Sequence, residues 1–367
     1  MDEGKDIAGF IIPYSAGIFI SVIGAAALGS ILVPAASASS VIAATSLIIM
    51  LLPGRKHIHP VFTWILIAIA GMSCGLMCGL TGILNSWSPA TCTGWFWETA
   101  HTFRLSLEAA IDAIPFQDDN TSSLLKALLT GNRESLPTHI TDAFRASGAS
   151  HILALSGLHL GMIYGILVKI LGLLGNSPRA RTIRSALIIS ACGFYTMATG
   201  AGPSITRAFL FILLGEAARL TCRSYSLGHV LAAALLIQLT CDPLSAGSVG
   251  FQLSYAAMAG IAFIYPQLSG LWPQGTSGPL GWIWKSSAMS ISCQLTTGPI
   301  AWHYFGTFPK YFILTNMIAL PLTGIIIPFS IAVILLSLTG FCPDIIIKSL
   351  EGIITIMTDA LEIISTM

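Results

Sequence analysis

The chain has 367 residues, 54% of them hydrophobic and only 9% charged, with a formal net charge of +1. Ordinary soluble domains carry about 25% charged residues, so this composition excludes a large soluble domain and places the chain in the membrane class. The near-neutral balance also excludes an extended polyanion-binding surface and leaves only local basic patches.

A membrane-spanning helix needs about 20 mostly apolar residues. On that rule spans are predicted near 7–29, 36–53, 61–84, 150–174, 183–200, 204–221, 227–241, 250–266, 281–300, 311–339 and 345–365. The expected fold class is all-α, a polytopic integral membrane protein with about 9–11 transmembrane helices. The first span lacks a small-residue cleavage site and reads as a retained helix rather than a signal peptide. Pro321 and Pro328 are expected to kink or split the tenth. Residues 1–84 are read as N-terminal transmembrane helices, 85–149 as an external amphipathic helical segment, and 150–367 as a transmembrane channel domain. With the N-terminus cytoplasmic, Arg55 and Lys56, then Arg179, Arg181 and Arg184, then Arg219 and Arg223 all fall on the cytoplasmic side, as the positive-inside rule requires.

The external segment holds seven acidic residues against four basic ones. Phe103, Leu107, Ile111 and Ile114 share one helical face, and Arg104, Glu108 and Asp112 share another, so this segment is expected to lie on the membrane surface. Pro137 is read as opening a second helix, which Gly148 closes, and Ser150 as capping the fourth span. The Trp95-Phe96-Trp97 run reads as an interfacial anchor, with base stacking as the alternative. Gly71, Gly75 and Gly79, and again Gly161 and Gly165, recur every four residues, a pattern that lets helices approach closely in lipid. The eight cysteines show no metal-binding spacing and read as small packing residues; no metal, cofactor or catalytic residue is expected.

Polar groups persist inside the fourth span. Counted from Ser150 at about 1.5 Å per residue, Ser156 would lie roughly 9 Å deep and His159 roughly 13 Å. Arg207, four residues after Pro203, is a costly intramembrane guanidinium, read either as a structural ion pair with Asp242 or as a pathway cation. His159 is either a buried histidine bonded to a neighbouring hydroxyl or a pathway group. Ser156 and His159 lie three apart on one face, which also raises the thought of an intramembrane serine hydrolase. Gln252, Gln294 and Asn316 each interrupt an apolar span, as groups lining a transport cavity do. Ser156, Gly157, His159, Arg207, Asp242, Gln252, Gln294 and Asn316 are thus the translocation-path candidates.

The segments ALLTGNRESLP, FRASGASHILALSGLHLG, GPSITRAF, DPLSAGSVGFQLSYAA, CQLTTGPIAWHYFGTFP and LTNMIALP, which together span about residues 100 to 322, resemble the competence domain of the ComEC family of bacterial DNA-uptake channels. Ser156, Gly157 and His159 match the family's SGLH motif, Arg207 its Arg-Ala motif, and Asp242, Pro243, Gln252, Asn316 and Pro321 its later ones. The resemblance implies a multi-pass channel in the bacterial cytoplasmic (inner) membrane that passes single-stranded DNA inward through transient contacts. It departs from the family at Asn132, where an acidic residue is common, and in showing neither the oligonucleotide-binding-type nor the metallo-β-lactamase-like domain. A separate nuclease, a DNA receptor and a cytoplasmic helicase are therefore the expected partners, beside the lipid bilayer and a homo-oligomeric copy. A reduced paralogue carrying another polar or anionic substrate is the alternative.

Overall fold

In the computed structural model the described residues are 13–18, 20, 65, 68–69, 71–76, 94–175, 177–221, 227–271, 278–306, 309–340 and 342–366. They contain helices and no strand. Predicted span 36–53 and most of 7–29 and 61–84 lie outside them. The chain divides into two compact units, one of Met1–Cys92 with Ser224–Tyr255 and one of Thr93–Arg223 with Ala256–Met367.

The larger unit begins with α1 (Trp95–Asp112), α2 (Asp119–Thr130), α3 (Thr138–Ala146) and the one-turn α4 (Ser150–Leu153). Asp118 accepts the Asn120 N–H to start α2, and Gly131, at φ 78°, ends it in the left-handed conformation. The apolar face predicted for α1 is real at its C-terminal end, where Ile111 and Ile114 are buried. In α2, Leu124, Leu125, Leu128 and Leu129 are enclosed in a core shared with α3 and two later helices. The LLKALL run supplies too much apolar area for one face to bury.

Predicted span 150–174 is also not one helix. The chain leaves α4 at Ala154, which is extended, and re-enters at α5 (Gly157–Gly172) with Ser156 as N-cap. Depths counted along a continuous helix from Ser150 therefore do not hold. α5, α6 (Pro178–Ala198) and α7 (Pro203–Leu220) run alternately up and down through short turns and bury Leu160, Ile188, Cys192, Ile205 and Ala208 between them. Pro178 and Pro203 occupy first-turn positions, where a missing N–H costs nothing.

At the end of this bundle where α5 finishes and α6 starts, the buried Glu216 accepts from Tyr164 Oη at 2.7 Å, Ser185 Oγ at 2.6 Å and Arg219 Nη1 at 2.9 Å. As the helical periodicity predicts, Glu216 faces away from Arg207. The Ser156–Arg207 pole lies at the opposite end.

The larger unit closes with a π turn (Gly260–Ile264), α10 (Tyr265–Ser269), α11 (Pro279–Phe305), α12 (Phe312–Leu338) and α13 (Asp344–Thr366). α12 runs as one helix through Pro321 and Pro328, so of the expected kink or split the split does not occur. α13 packs along α12 and places Ile347, Leu350, Ile354, Met357 and Leu361 in the common core, which holds α12 together where prolines remove its own hydrogen bonds. α13 is also tied to the start of α2, because Glu351 accepts the Gln117 and Asp118 N–H groups at 2.9 and 2.7 Å.

The smaller unit contains α8 (Leu227–Cys241), a 3₁₀ turn (Pro243–Gly247) and the start of α9 (Val249–Ala259). Its described N-terminal segments meet through glycine: a Cβ at Gly75 would collide with the Tyr14 carbonyl, and one at Gly17 with the Met72 carbonyl. The close approach expected at Gly75 is therefore present. At Gly161 and Gly165 no described atom lies within 4 Å of an added Cβ. Val249–Ser269 and Phe312–Leu338 are long and apolar enough to cross a membrane, and Gly157–Gly172 and Leu227–Cys241 are apolar but shorter.

Candidate functional site

The site is built on the break between α4 and α5. Apolar Ile152 and Leu153 bury α4, and the two extended residues that follow bring Ser156 to the mouth of the three-helix bundle. There Ser156 and His159 cap the helix reciprocally. Ser156 Oγ accepts the Leu158 N–H at 3.2 Å, the Ser156 N–H donates to His159 Nδ1 at 3.2 Å, and Ser156 Oγ stands 3.0 Å from the same nitrogen. With Nδ1 accepting, a neutral ring carries its proton on Nε2. His159 is 1% exposed, and its Nε2 has no hydrogen-bond partner among the described residues.

Arg207 comes to the same place from α7 and is also buried. A Cβ added at Gly157 would stand 3.5 Å from Arg207 Nη2 and 3.3 Å from Ala208 Cβ, so the glycine lets the guanidinium lie against the start of α5. Thus Ser156, Gly157, His159 and Arg207, separated by about fifty positions, converge on one end of the bundle.

Of the other expected path residues, Asn316 and Gln294 belong to the larger unit and Asp242 and Gln252 to the smaller one. Asn316 donates to Ser290 Oγ at 3.3 Å across the α11–α12 contact, and its Oδ1 is buried without a partner among the described residues. Gln294 lines an open, largely apolar groove of about 370 Å³ with Ile291, Leu295, Gly298, Pro299, Trp302 and Phe312. Neither His159 nor Arg207 borders that groove. In the smaller unit Asp242 caps the 3₁₀ turn, accepting the Ser245 N–H at 3.3 Å, and Gln252 donates to the Ala246 carbonyl at 3.0 Å. Both side chains thereby satisfy the backbone of their own loop.

Several groups around the site, Gly148 apart, were not singled out from sequence. Thr315 Oγ1 donates to the Ser147 carbonyl at 2.7 Å, and a Cβ at Gly148 would press on Pro309, so α12 starts against the turn that precedes α4. Tyr195 Oη donates to the Leu129 carbonyl at 2.6 Å, and a Cβ at Gly131 would strike Leu155, one residue before Ser156. The positive φ of Gly131 and Gly148 was readable as glycine after a helix; the tyrosine and threonine bonds are purely tertiary.

Asn132 sits beside this loop and donates through Nδ2 to Glu108 Oε2 at 3.1 Å, while Thr130 Oγ1 donates to Oε1 at 2.9 Å. Asn132→Asp would turn a donor into a second carboxylate facing Glu108. The expected result is a loss of about 1 kcal/mol of stability at neutral pH, partly regained in acid as the pair takes up a proton. Thermal unfolding at pH 7 and pH 4 checks it, and an unchanged difference between wild type and variant at the two pH values refutes it.

Comparison with known proteins places these residues in context. The family model described as "Competence protein" matches residues 128–367. The chain is 28% identical over 298 residues to ComE operon protein 3 of Bacillus subtilis, covering 72% of this chain and 37% of that protein. It is 27% identical over 228 residues to competence protein ComA of Neisseria gonorrhoeae, covering 56% and 31%, respectively. It is 25% identical over 241 residues to the uncharacterized protein YcaI of Escherichia coli, covering 64% and 31%. The chain thus spans about a third of the length of these three relatives. No solved structure matches it.

Proposed function

The chain belongs to the ComEC family of competence proteins, and from that premise we propose that it acts in DNA uptake, as a multi-pass protein of the bacterial cytoplasmic membrane that passes one DNA strand inward. The observation that carries this reading is the convergence of Ser156, Gly157, His159 and Arg207 at one end of the α5–α7 bundle. Apolar helices long enough to span support the membrane setting. A guanidinium and an imidazole are rare within an apolar bundle and mark there either a substrate path or a structural pairing. Contacts in such a passage are weak and successive, because a permeant held too tightly does not leave. The protein does no chemistry of its own in this reading; a nuclease, a DNA receptor and a cytoplasmic motor act beside it.

In a strain lacking this chain, labelled duplex should still bind outside the cell while label fails to reach the cytoplasm, and the wild-type gene should restore import. Unchanged import in the deletion strain would remove the proposal.

The contact of 3.0 Å between Ser156 Oγ and His159 Nδ1 gives an intramembrane hydrolase a specific footing. The reciprocal cap explains the same contact without catalysis. Under capping alone, Ser156→Ala costs about 1 kcal/mol, Ser156→Asn recovers most of it, and serine-reactive probes leave the protein unlabelled. Covalent labelling at Ser156, lost in both variants, would favour the hydrolase.

A further inference from the structure

We propose that the groove on α11 between Gln294 and Trp302 binds a nucleobase. The proposal rests on the DNA-uptake reading and deepens it, naming the part of the strand that is held.

The groove follows from helical spacing. Ile291, Gln294, Leu295, Gly298, Pro299 and Trp302 stand at i, i+3, i+4, i+7, i+8 and i+11, which puts all six on one face of α11, and Phe312 of α12 borders the same space. Gly298 has no side chain, so it leaves a gap in that row. A helical tryptophan leans toward the helix N-terminus, which carries the Trp302 indole over this gap and toward the amide. The volume of about 370 Å³ lies near the small end of the range for ligand pockets, about 300–1,000 Å³, and suits one flat ring system better than a long ligand.

The lining then selects the chemistry. Trp302 is 60% exposed, so an indole face is available, and stacking on it is open to every base because each has a π face. The Gln294 amide carries two donors and an acceptor and pairs with no described residue. Pro299 has no N–H to donate to the Leu295 carbonyl, so a further acceptor stands beside the amide. A polar side chain in such a setting marks a substrate path or a structural pairing, and among the described residues Gln294 has no pairing. A hydrocarbon chain could fill the groove but would leave the amide unanswered. A base answers the indole with its face and the amide with its edge, where donors and acceptors lie side by side. Turning the amide by half a rotation exchanges its oxygen and nitrogen, so one glutamine serves any base, as a passage that reads no sequence requires. None of the residues lining the groove is charged, which fits a base and not a phosphate.

The full chain in a maltoside detergent is irradiated with a short single-stranded oligonucleotide carrying one 5-iododeoxyuridine, and the adduct is mapped by peptide mass spectrometry. Labelling at Trp302 or Phe312 is expected, suppressed by an excess of the unmodified strand and not by an abasic strand of the same length. No adduct on either residue, or equal competition by the abasic strand, overturns the proposal. Two further outcomes also overturn it. A phosphatidylcholine with a diazirine on its acyl chain that labels the groove and is not displaced by the oligonucleotide would make it a lipid slot, and a dimer that Trp302→Ala converts to monomers would make it an interface between copies.

Trp302→Ala should weaken oligonucleotide binding about tenfold and Trp302→Phe less, because the phenyl ring keeps a stacking face. Gln294→Met, which keeps the length and removes the hydrogen bonds, should weaken it about fivefold. Trp282→Ala, at the other end of α11 and also exposed, should leave it unchanged. A Trp302→Ala variant with the wild-type unfolding midpoint and wild-type affinity would overturn the proposal. Labelling and cellular import are separate readings: no adduct with import lost in the deletion strain defeats only this site, and an adduct with import unchanged in that strain defeats only the role in uptake.

Discussion

Gly260→Ala should lower the stability of the purified protein by about 2–3 kcal/mol, in the upper range for an overpacked core. Gly260 opens the π turn, where the chain meets α11. A Cβ there would overlap the Ser292 carbonyl oxygen and stand 2.7 Å from Thr296 Oγ1. Neither neighbour can yield cheaply. Ser292 is wholly buried and its hydroxyl donates to the Ala288 carbonyl at 2.6 Å, while Thr296 Oγ1 donates to the Cys293 carbonyl at 2.9 Å. The helices must therefore separate along their contact. Gly161→Ala is the matched control, because no described atom would meet its new methyl and alanine favours a helix by about 1 kcal/mol. Thermal unfolding of both variants in one detergent decides the matter: equal midpoints would show that the close approach at Gly260 does not exist.

Glu216→Ala should cost more, about 3–5 kcal/mol, because it removes the shared acceptor of three donors inside the bundle. Ser185 and Tyr164 would each lose the acceptor their hydroxyls share, and Arg219 would lose its ion pair. Arg219 is half exposed and can turn to water, so its own loss is the smaller part. Glu216→Gln should fall between the two, since its amide keeps one acceptor oxygen and replaces the other with a donor that faces Ser185 or Tyr164. Adding Arg219→Ala to Glu216→Ala should not deepen the defect by the full single-mutant loss, because the pair is coupled. Unfolding midpoints of wild type, the three single variants and the double variant test this, and a Glu216→Ala variant as stable as wild type would refute the structural role of the cluster.

Much of this architecture was legible before any coordinates. Pro137 marked the start of α3, and Pro178, Pro203 and Pro279 offered the same unread sign, because the first turn tolerates a residue without an N–H. The Ser156–His159 contact followed from their spacing. The interruption before Ser156 was hidden because Ile152 to Leu158 reads as an apolar run, and hydrophobicity is blind to a three-residue change of backbone direction. The Ser-Gly pair inside that run was the available sign, a hydroxyl N-cap followed by a small first residue. Glycine spacing was legible as a pattern but not as an outcome: Gly75 and Gly260 sit at real backbone contacts, whereas Gly161 and Gly165 face no described atom. Which glycine is used depends on the neighbouring helix, and a single strand of sequence carries no record of the neighbour. The same reason hid the partners of Glu216, two of which come from other helices.

The reciprocal cap at the start of α5 makes positions 156 and 159 one genetic unit. Each side chain holds the other, so a lesion at either position releases both, and their defects in a double mutant should fall well short of a sum. A screen that scores the two separately would count a single broken brace twice. Epistasis against Arg207, which belongs to another helix, is what distinguishes a failed brace from a failed passage.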